Sequence, residues 1–310
     1  DCGPRALVHL HPAPQAGDRL RLTLMLDRAG QAVLHAAPET GGDMAEDPQW
    51  REMVADPRGR RVLITDARHI AALPLAQALA RAGAAAIFAG VPEDWKPLDT
   101  RAAFEKVPGL RFVPLDLASD RSVEDLARDI GGKVEILINT ADHPRPSGLM
   151  DPGAAVQARA AMEVLAFGLM RLGRAFGPAM AGRGADGSDA APGAVAWVNL
   201  LSVYARVCPP GMAGYAAAHA AALSISQALR AELGAGGVRL MTVFTGPTED
   251  EWFQSAPPPK VGGKALADAI IGGLMRGLEE VVVGDNAREL LTLLAENPKA
   301  AERELGQGKG

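Results

Sequence analysis

The chain has 310 residues, of which 48% are hydrophobic, so it is long enough to bury the core of one large domain. Its net charge is -5 and its lysines and arginines are scattered among acidic residues, which argues against a nucleic-acid-binding protein. The apolar stretches are too short for a membrane span, and the two cysteines, Cys2 and Cys208, indicate neither a metal site nor a disulfide framework.

Residues 1–60 are punctuated by proline and glycine, and we expect them to form an appendage rather than a second globular domain. Within them RLRLTLMLD alternates apolar and polar residues, RAGQ supplies a turn and AVLHAA returns, which predicts one β-hairpin. Its histidines, His9, His11 and His35, have no carboxylate or cysteine at a ligand spacing, so no metal site is predicted. The stretch lacks a basic segment followed by an apolar run, which favours a cytoplasmic location.

From Arg61 to the end, residues 61–310, short apolar strands alternate with helical patterns, which is typical of a parallel sheet covered on both faces. The predicted strands are 61–65, 84–90, 111–117, 134–140, 194–202, 238–244 and 280–284. The predicted helices include 73–82, 152–180, 264–277 and one terminal helix that ends near residue 304. We therefore predict an α/β fold with a doubly wound, Rossmann-like, seven-stranded sheet in the order 3-2-1-4-5-6-7.

Three polar side chains follow the fifth predicted strand at a recognisable spacing. Ser202 precedes Tyr215 by thirteen positions, and His219 follows Tyr215 by four, so one helix face carries the phenol and the imidazole. This pattern resembles the short-chain dehydrogenase/reductase family, in which a Ser and a Tyr-x-x-x-Lys polarise a carbonyl or alcohol beside a nicotinamide. LINTAD, at 137–142, is similar to the family's Asn-Asn-Ala-Gly stretch, and the resemblance covers about residues 61–300.

The resemblance also shows where this sequence departs from the family's dinucleotide site. The glycines that approach the pyrophosphate correspond to Asp66, Ile70 and Ala72, none of which is glycine. Ile70 adds a branched side chain, and Asp66 either places an anion at a helix N-terminus or simply caps that helix. The family positions that remain as candidate cofactor contacts are Asp66, Ile70, Asp116, Asn139 and Gly246. We expect no NAD(P) binding, or weak binding.

The catalytic group implied by the resemblance is also changed. Leu165 stands where the family has an asparagine that holds a proton-relay water, and His219 stands in place of the lysine. Histidine is mostly neutral at pH 7, so it cannot supply the permanent cation that lowers the pKa of the family's tyrosine. His219 is either a hydrogen-bonded base for Tyr215 or a structural residue, and Ser202, Tyr215 and His219 form a vestigial or atypical site.

Three functions are compatible with these features. The first is a non-catalytic subunit or scaffold that forms a homo- or hetero-oligomer, including one with an active short-chain dehydrogenase, through the Ala- and Gly-rich faces of the long helix and the Tyr215 helix. The second is an NAD(P)-dependent oxidoreductase that acts on an alcohol or ketone through Ser202 and Tyr215. The third is a sensor whose remodelled pocket holds another small ligand.

Overall fold

The computed structural model describes residues 54–92, 98–183, 195–254, 256 and 258–306, together with the backbone of three strands nearer the N-terminus. The chain divides into two compact units, Asp1–Glu52 and Met53–Gly310. In the described part of the chain, no helix combines the length and the apolar character that crossing a membrane requires.

The first unit contains a small three-stranded sheet. Its strands are β1 (Val8–Leu10), β2 (Leu20–Leu26) and β3 (Ala32–Pro38). The middle strand, β3, pairs antiparallel with β2, placing Ala32 opposite Leu26, and pairs parallel with β1. The antiparallel pair occupies the two segments that the sequence pattern marks as a hairpin.

The second unit is built on a seven-stranded sheet whose strands all run parallel. They are β4 (Arg61–Ile64), β5 (Ala86–Val91), β6 (Leu110–Pro114), β7 (Ile136–Asn139), β8 (Ala196–Ser202), β9 (Arg239–Thr245) and β10 (Glu280–Val283). Their order across the sheet is β6-β5-β4-β7-β8-β9-β10. The predicted doubly wound topology is therefore confirmed.

Helices cover both faces of this sheet. They are α1 (Ala72–Arg81), α2 (Arg101–Phe104), α3 (Asp120–Ile130), α4 (Ala154–Met162), α5 (Gly168–Arg183), α6 (Ala213–Gly234), α7 (Gly263–Met275), α8 (Asp285–Glu296) and α9 (Pro298–Gly306). Successive residues of a strand point to opposite faces, so Val62 and Ile64 join the core beneath α1 and α7, while Leu63 joins the core beneath α3, α5 and α6.

Two helical segments differ from the predicted ones. The predicted helix over 152–180 contains a π-helical turn, Glu163–Phe167, between α4 and α5. The predicted single terminal helix is wrong, because Asn297 has extended backbone angles and the chain restarts as α9 at Pro298. A proline disfavours helical geometry at the residue before it, which accounts for the break.

The fold creates one crevice at the carboxyl ends of its central strands. The chain leaves β4 towards β5 on one side, and β7 lies on the other side of β4, so the loops after β4 and β7 diverge there. Just beyond these strands, the Thr65 hydroxyl donates to Oδ1 of Asn139 at 2.8 Å, and the Thr140 hydroxyl donates to the Asp66 carbonyl at 3.0 Å. These bonds hold the two loops together where ligands bind in folds of this kind.

Candidate functional site

Ser202, Tyr215 and His219 do come together at the carboxyl end of β8. Ser202 is the last residue of that strand, and its hydroxyl oxygen accepts a hydrogen bond from the Tyr204 backbone N–H at 3.2 Å. Tyr215 and His219 lie one turn apart on α6, with ring centroids 4.3 Å apart in an edge-to-face arrangement. Both side chains are almost completely buried, with exposures of 3% and 1%.

A carboxylate from the loop after β7 joins this group. Oδ2 of Asp142 accepts a hydrogen bond from the Tyr215 hydroxyl at 3.2 Å, and Oδ1 accepts from the His143 backbone N–H at 2.8 Å. The same Oδ1 lies 3.3 Å from Nε2 of His219, at ion-pair distance but without the alignment of a hydrogen bond. Asp142 therefore accepts a hydrogen bond from Tyr215, which corresponds to the residue that the family uses as its acid and base.

The imidazole of His219 is held from its other side. Its Nδ1 accepts a hydrogen bond from the Ser202 backbone N–H at 3.2 Å. A ring that accepts at Nδ1 carries its proton on Nε2, the nitrogen that faces Asp142. His219 therefore links the end of β8 to the loop after β7, while the Tyr215 hydroxyl donates to Asp142 and not to the imidazole.

The electrostatics of this cluster disfavour ionisation of Tyr215. Burial raises the pKa of Tyr215 well above its ordinary value, and the negative charge of Asp142 raises it further. Burial also opposes ionisation of Asp142, but His219 and His69 outweigh it and lower the pKa of that carboxyl. At neutral pH the pair is a protonated phenol donating to a carboxylate. A tyrosine that acts as a base needs the opposite shift.

Little space remains around these side chains. The inner cavity, bounded by Asp142, Ser202, Tyr215, His219 and Gly246 among others, has a volume of about 10 Å³, which is close to the minimum that holds one water. Phe253 closes one side, with its ring centroid 5.9 Å from that of Tyr215.

A cation–π contact also joins the loop that follows β9 to the loop that follows β7. The guanidinium carbon of Arg145 lies 3.5 Å from the centroid of the Trp252 ring. Trp252 belongs to a short 3₁₀ turn, Glu251–Phe253, which Asp250 caps by accepting from the Trp252 backbone N–H at 2.9 Å. These contacts hold Phe253 in its position beside Tyr215.

A second, larger space lies outside the first. This outer cleft has a volume of about 440 Å³ and runs between the loops that follow β4, β6 and β7, past Asp66, Arg68 and Asp116. Oδ1 of Asp116 accepts from the Ala118 backbone N–H at 2.9 Å. Ala141 and Asp142 line both spaces. The crevice is thus divided into an open outer part and a closed inner part.

The loop after β4 corrects one prediction. Asp66 does not cap the following helix, because α1 begins only at Ala72 and its N-cap, Ala71, has no side-chain cap bond. Oδ1 of Asp66 instead accepts from the Arg68 backbone N–H at 2.8 Å, a local turn that aspartate favours. Burial raises the pKa of Asp66, although the bond from Arg68 opposes this rise.

The remaining predicted positions are spread around the crevice. Ile70 is partly buried against the core and lines neither space, while the buried amide of Asn139 accepts from Thr65 and from the Ala141 backbone N–H. Gly246 lines the inner cavity. Leu165 lies in the π-helical turn and packs against Ala218 of α6. Turns of this kind occur often at functional sites, but this one presents an apolar side chain.

Two residues of the site were missed by sequence reasoning. Asp142 occupies the glycine position of the Asn-Asn-Ala-Gly stretch, so its signal was a charged side chain where the family has none. His69 lies in the loop after β4, where its Nδ1 accepts from the Ala71 backbone N–H at 3.1 Å. Burial lowers the pKa of His69, although the nearby charge of Asp142 raises it.

This arrangement of strands and loops is shared with known proteins. A sequence model described as short chain dehydrogenase matches residues 60–260. The chain belongs to the short-chain dehydrogenase/reductase family. A related member, 1-deoxy-11-beta-hydroxypentalenate dehydrogenase from Streptomyces exfoliatus, is 30% identical over 212 residues, which cover 66% of this chain and 73% of the relative.

Two further relatives show how far the similarity extends. The short-chain dehydrogenase ptmH of Penicillium ochrochloron is 29% identical over 150 residues, or 47% of this chain, and the chain spans 51% of that relative's length. A solved short chain dehydrogenase from Burkholderia cenocepacia, in complex with NADP, superposes with a TM-score of 0.70 at 31% identity. That superposition covers 81% of this chain and 98% of the other.

Proposed function

We propose that this short-chain dehydrogenase/reductase is a non-catalytic subunit or scaffold that supports an active partner of the same fold. The observation that carries the proposal is the position of Asp142, whose carboxylate accepts from the Tyr215 hydroxyl at 3.2 Å and faces His219 at 3.3 Å. The groups that would act on a substrate are thereby engaged with one another inside a closed pocket.

The size of the inner cavity also supports the proposal. In the family, a nicotinamide and a carbonyl or alcohol lie beside the tyrosine hydroxyl, and both need far more room than about 10 Å³. In this arrangement the residues do not fit the nicotinamide half of NAD(P), and no hydride transfer is assigned to the chain. Leu165 adds to the mismatch because its side chain cannot hold the water of a proton relay.

Opening the inner cavity would cost free energy. The bond between Tyr215 and the Asp142 carboxylate is worth about 1.5–3 kcal/mol, and the Arg145–Trp252 contact about 0.5–2 kcal/mol. If both must break, binding of a dinucleotide weakens roughly thirtyfold or more. This penalty is added to the loss of the glycines at positions 66, 70 and 72, and it supports weak binding or none.

An apolar groove between α5 and α6 supports the assignment of a partner. The groove has a volume of about 510 Å³ and contains Gly173, Gly177 and Leu229. Met170, which also lines the groove, is 54% exposed. The occupant we propose is a second subunit of this fold, since the family pairs subunits through these helices.

Part of the small-residue surface predicted for pairing is used within the chain. Gly214 of α6 packs so closely on α4 that a Cβ there would lie 2.8 Å from Cα of Ala158. Ala161 is buried against Ala218 on the same contact. The α5–α6 groove, and not the α4–α6 contact, is therefore the surface that we assign to a partner.

The proposal is tested by titrating the purified chain with NADH and NADPH, following fluorescence and thermal shift, and by assaying a panel of alcohols and ketones. We expect affinities weaker than about millimolar and no turnover. Micromolar affinity, or turnover that Tyr215→Phe abolishes, would show a working oxidoreductase. That alternative is favoured by the relatives' names and by the retained Ser202 and Tyr215.

The partner surface is tested separately. Met170→Lys places a charge in the lining of the groove and should shift the sedimentation coefficient towards that of a single subunit. Met275→Lys is the matched control, because Met275 is 41% exposed on α7, which covers the opposite face of the sheet. Equal sedimentation of the wild-type chain and both variants would remove the α5–α6 groove from the proposal.

A further inference from the structure

We propose that a surface groove between α1 and the segment around the end of α2 binds an acidic peptide segment of a partner protein. This α1–α2 groove has a volume of about 360 Å³. Its lining includes Ala80, Arg81, Ala103, Lys106 and Val107.

The α1–α2 groove lies at the edge of the sheet opposite to the crevice. Helix α1 starts beyond the carboxyl end of β4 and ends at Arg81, before the chain enters β5. Lys106 and Val107 lie just before β6, which begins at Leu110. Both walls are therefore at the amino ends of strands, and no lining residue is shared with the crevice or with the α5–α6 groove. The proposal thus stands or falls independently of the proposed function.

The charges of the groove are two cations that lack a partner. Arg81 and Lys106 are exposed, and neither side chain makes an ion pair or a hydrogen bond within the part of the chain that the structure describes. No described carboxylate lines the groove, and the adjacent Glu105 pairs with Arg101 at 3.4 Å instead. The groove is thus positive on a chain whose net charge is -5. Opposite charges across an interface select the partner and steer its approach, so the complementary surface is acidic.

The floor between the two cations is apolar and preformed. Val107 is 7% exposed, and Ala80 and Ala103 are half-buried. The Val107 backbone N–H donates to the carbonyl of Phe104 at 2.9 Å, and the Phe104 side chain is fully buried. A surface that is already ordered loses little conformational entropy when a partner binds. The floor can therefore accept one apolar side chain without rearrangement.

The shape and composition of the groove favour a peptide over other anions. Small-molecule sites bury about 70–90% of their ligand, whereas most residues along this groove are exposed or half-buried. Single-stranded nucleic acids stack their bases on aromatic side chains, and no described aromatic residue lines the groove. A peptide can place an apolar side chain on the floor and its flanking carboxylates beside Arg81 and Lys106, where charge-assisted hydrogen bonds form.

The experiment is fluorescence anisotropy of labelled peptides titrated with the full chain. The probes are EEELEEE, EEESEEE, which lacks the apolar side chain, and KKKLKKK, which reverses the charge. We expect EEELEEE to bind at least about tenfold more tightly than either comparison peptide. Binding should weaken as salt rises from about 0.01 M to about 1 M, because the Debye length falls from about 30 Å to about 3 Å.

Charge reversal locates the site. Arg81→Glu and Lys106→Glu should each weaken EEELEEE about tenfold or more, since a carboxylate then faces the carboxylates of the peptide. Both side chains are exposed, so the variants should keep the melting temperature of the wild-type chain. Arg121→Glu is the matched control, because it changes the net charge equally at a side chain that is 92% exposed on α3, which covers the other face of the sheet. It should change the affinity less than about twofold.

Each opposite result overturns a defined part of the proposal. No change in anisotropy with any peptide, or an equal loss of affinity in Arg121→Glu, would remove the α1–α2 groove as a binding site. Equal affinity for EEELEEE and EEESEEE would overturn the role of the apolar floor. If N-acetylleucine competed as well as unlabelled EEELEEE, the groove would be a small-carboxylate site and the peptide partner would be wrong.

Discussion

Replacing Asp142 by alanine tests whether the closed cluster stabilises the fold. The substitution removes the acceptor of the Tyr215 hydroxyl and the charge that faces Nε2 of His219. Tyr215 and His219 are almost fully buried, so neither can turn to bulk water for a new partner. The His143 backbone N–H, which also loses its acceptor, belongs to a half-buried residue and can be solvated.

The magnitude follows from these contacts. Loss of a hydrogen bond to a charged acceptor costs about 1.5–3 kcal/mol, and loss of the carboxylate that faces Nε2 of His219 at 3.3 Å adds to this cost. Removing the carboxylate also removes the cost of burying its charge away from water, which offsets part of this loss of stability. We therefore expect Asp142→Ala to lower the unfolding free energy by about 2–4 kcal/mol. Asp142→Asn, which keeps an acceptor for Tyr215, should lose about half as much.

Denaturant unfolding at pH 7 is the appropriate assay. Because the pKa of Asp142 is lowered, its contribution is present above the unfolded value near 3.9 and is lost only as the pH falls through the folded value. At pH 7 the assay thus measures the whole effect. Asp129→Ala, an exposed position on α3, is the control and should change stability by less than about 0.5 kcal/mol. An Asp142→Ala loss as small as that of the control would refute the reasoning.

The remaining predictions concern the cofactor, pH and helix packing. Restoring the family residues at the four divergent motif positions 66, 70, 165 and 219 should recover NADPH binding in a fluorescence titration only when Asp142→Gly is added. Recovery in the variant that keeps Asp142 would show that Asp142 is no obstacle. Burial lowers the pKa of His69 in the folded chain. Below pH 6.5, the ordinary pKa of histidine, the unfolded chain therefore binds more protons than the folded chain. The unfolding free energy should thus fall from pH 7 to pH 5. The fall should be shallower in His69→Gln, and an unchanged slope would assign it to other groups. Gly214→Ala should cost about 1–3 kcal/mol in denaturant unfolding, because its Cβ would lie 2.8 Å from backbone of α4. Gly182→Ala, whose Cβ would meet nothing within 4 Å, is its control, and equal stability of the two variants would contradict the close packing.

The fold could be predicted because its signals are local and repeat. Each strand is a short apolar run, each helix ends near a recognisable breaker, and right-handed crossovers then leave few topologies. The terminal break was also visible as Pro298 but was outweighed by the helical pattern around it. The π-helical turn left no such signal, since an extra residue in a helical turn changes packing direction without changing residue type.

The helix start after β4 could not be placed for a different reason. Aspartate favours both helix N-caps and local turns, so Asp66 alone did not distinguish them. The structure selects the turn, in which Asp66 accepts from the Arg68 amide and α1 begins at Ala72. With this turn, the Arg68 side chain lines the outer cleft. No spacing in the sequence predicts that position.

The site was only half predictable because its two decisive residues, Asp142 and His219, are far apart in the chain and contact each other only in the folded protein. Taken separately, His219 replaces the family's lysine and Asp142 replaces its glycine. In space they are 3.3 Å apart, and Tyr215 donates to the same carboxylate. A glycine at 142 would leave the phenol without its acceptor and the imidazole without the carboxylate that faces it. A carboxylate here raises the pKa of Tyr215 and fills the space beside it. Each change thus makes the other structurally useful, and together they hold Tyr215 as a buried, hydrogen-bonded residue.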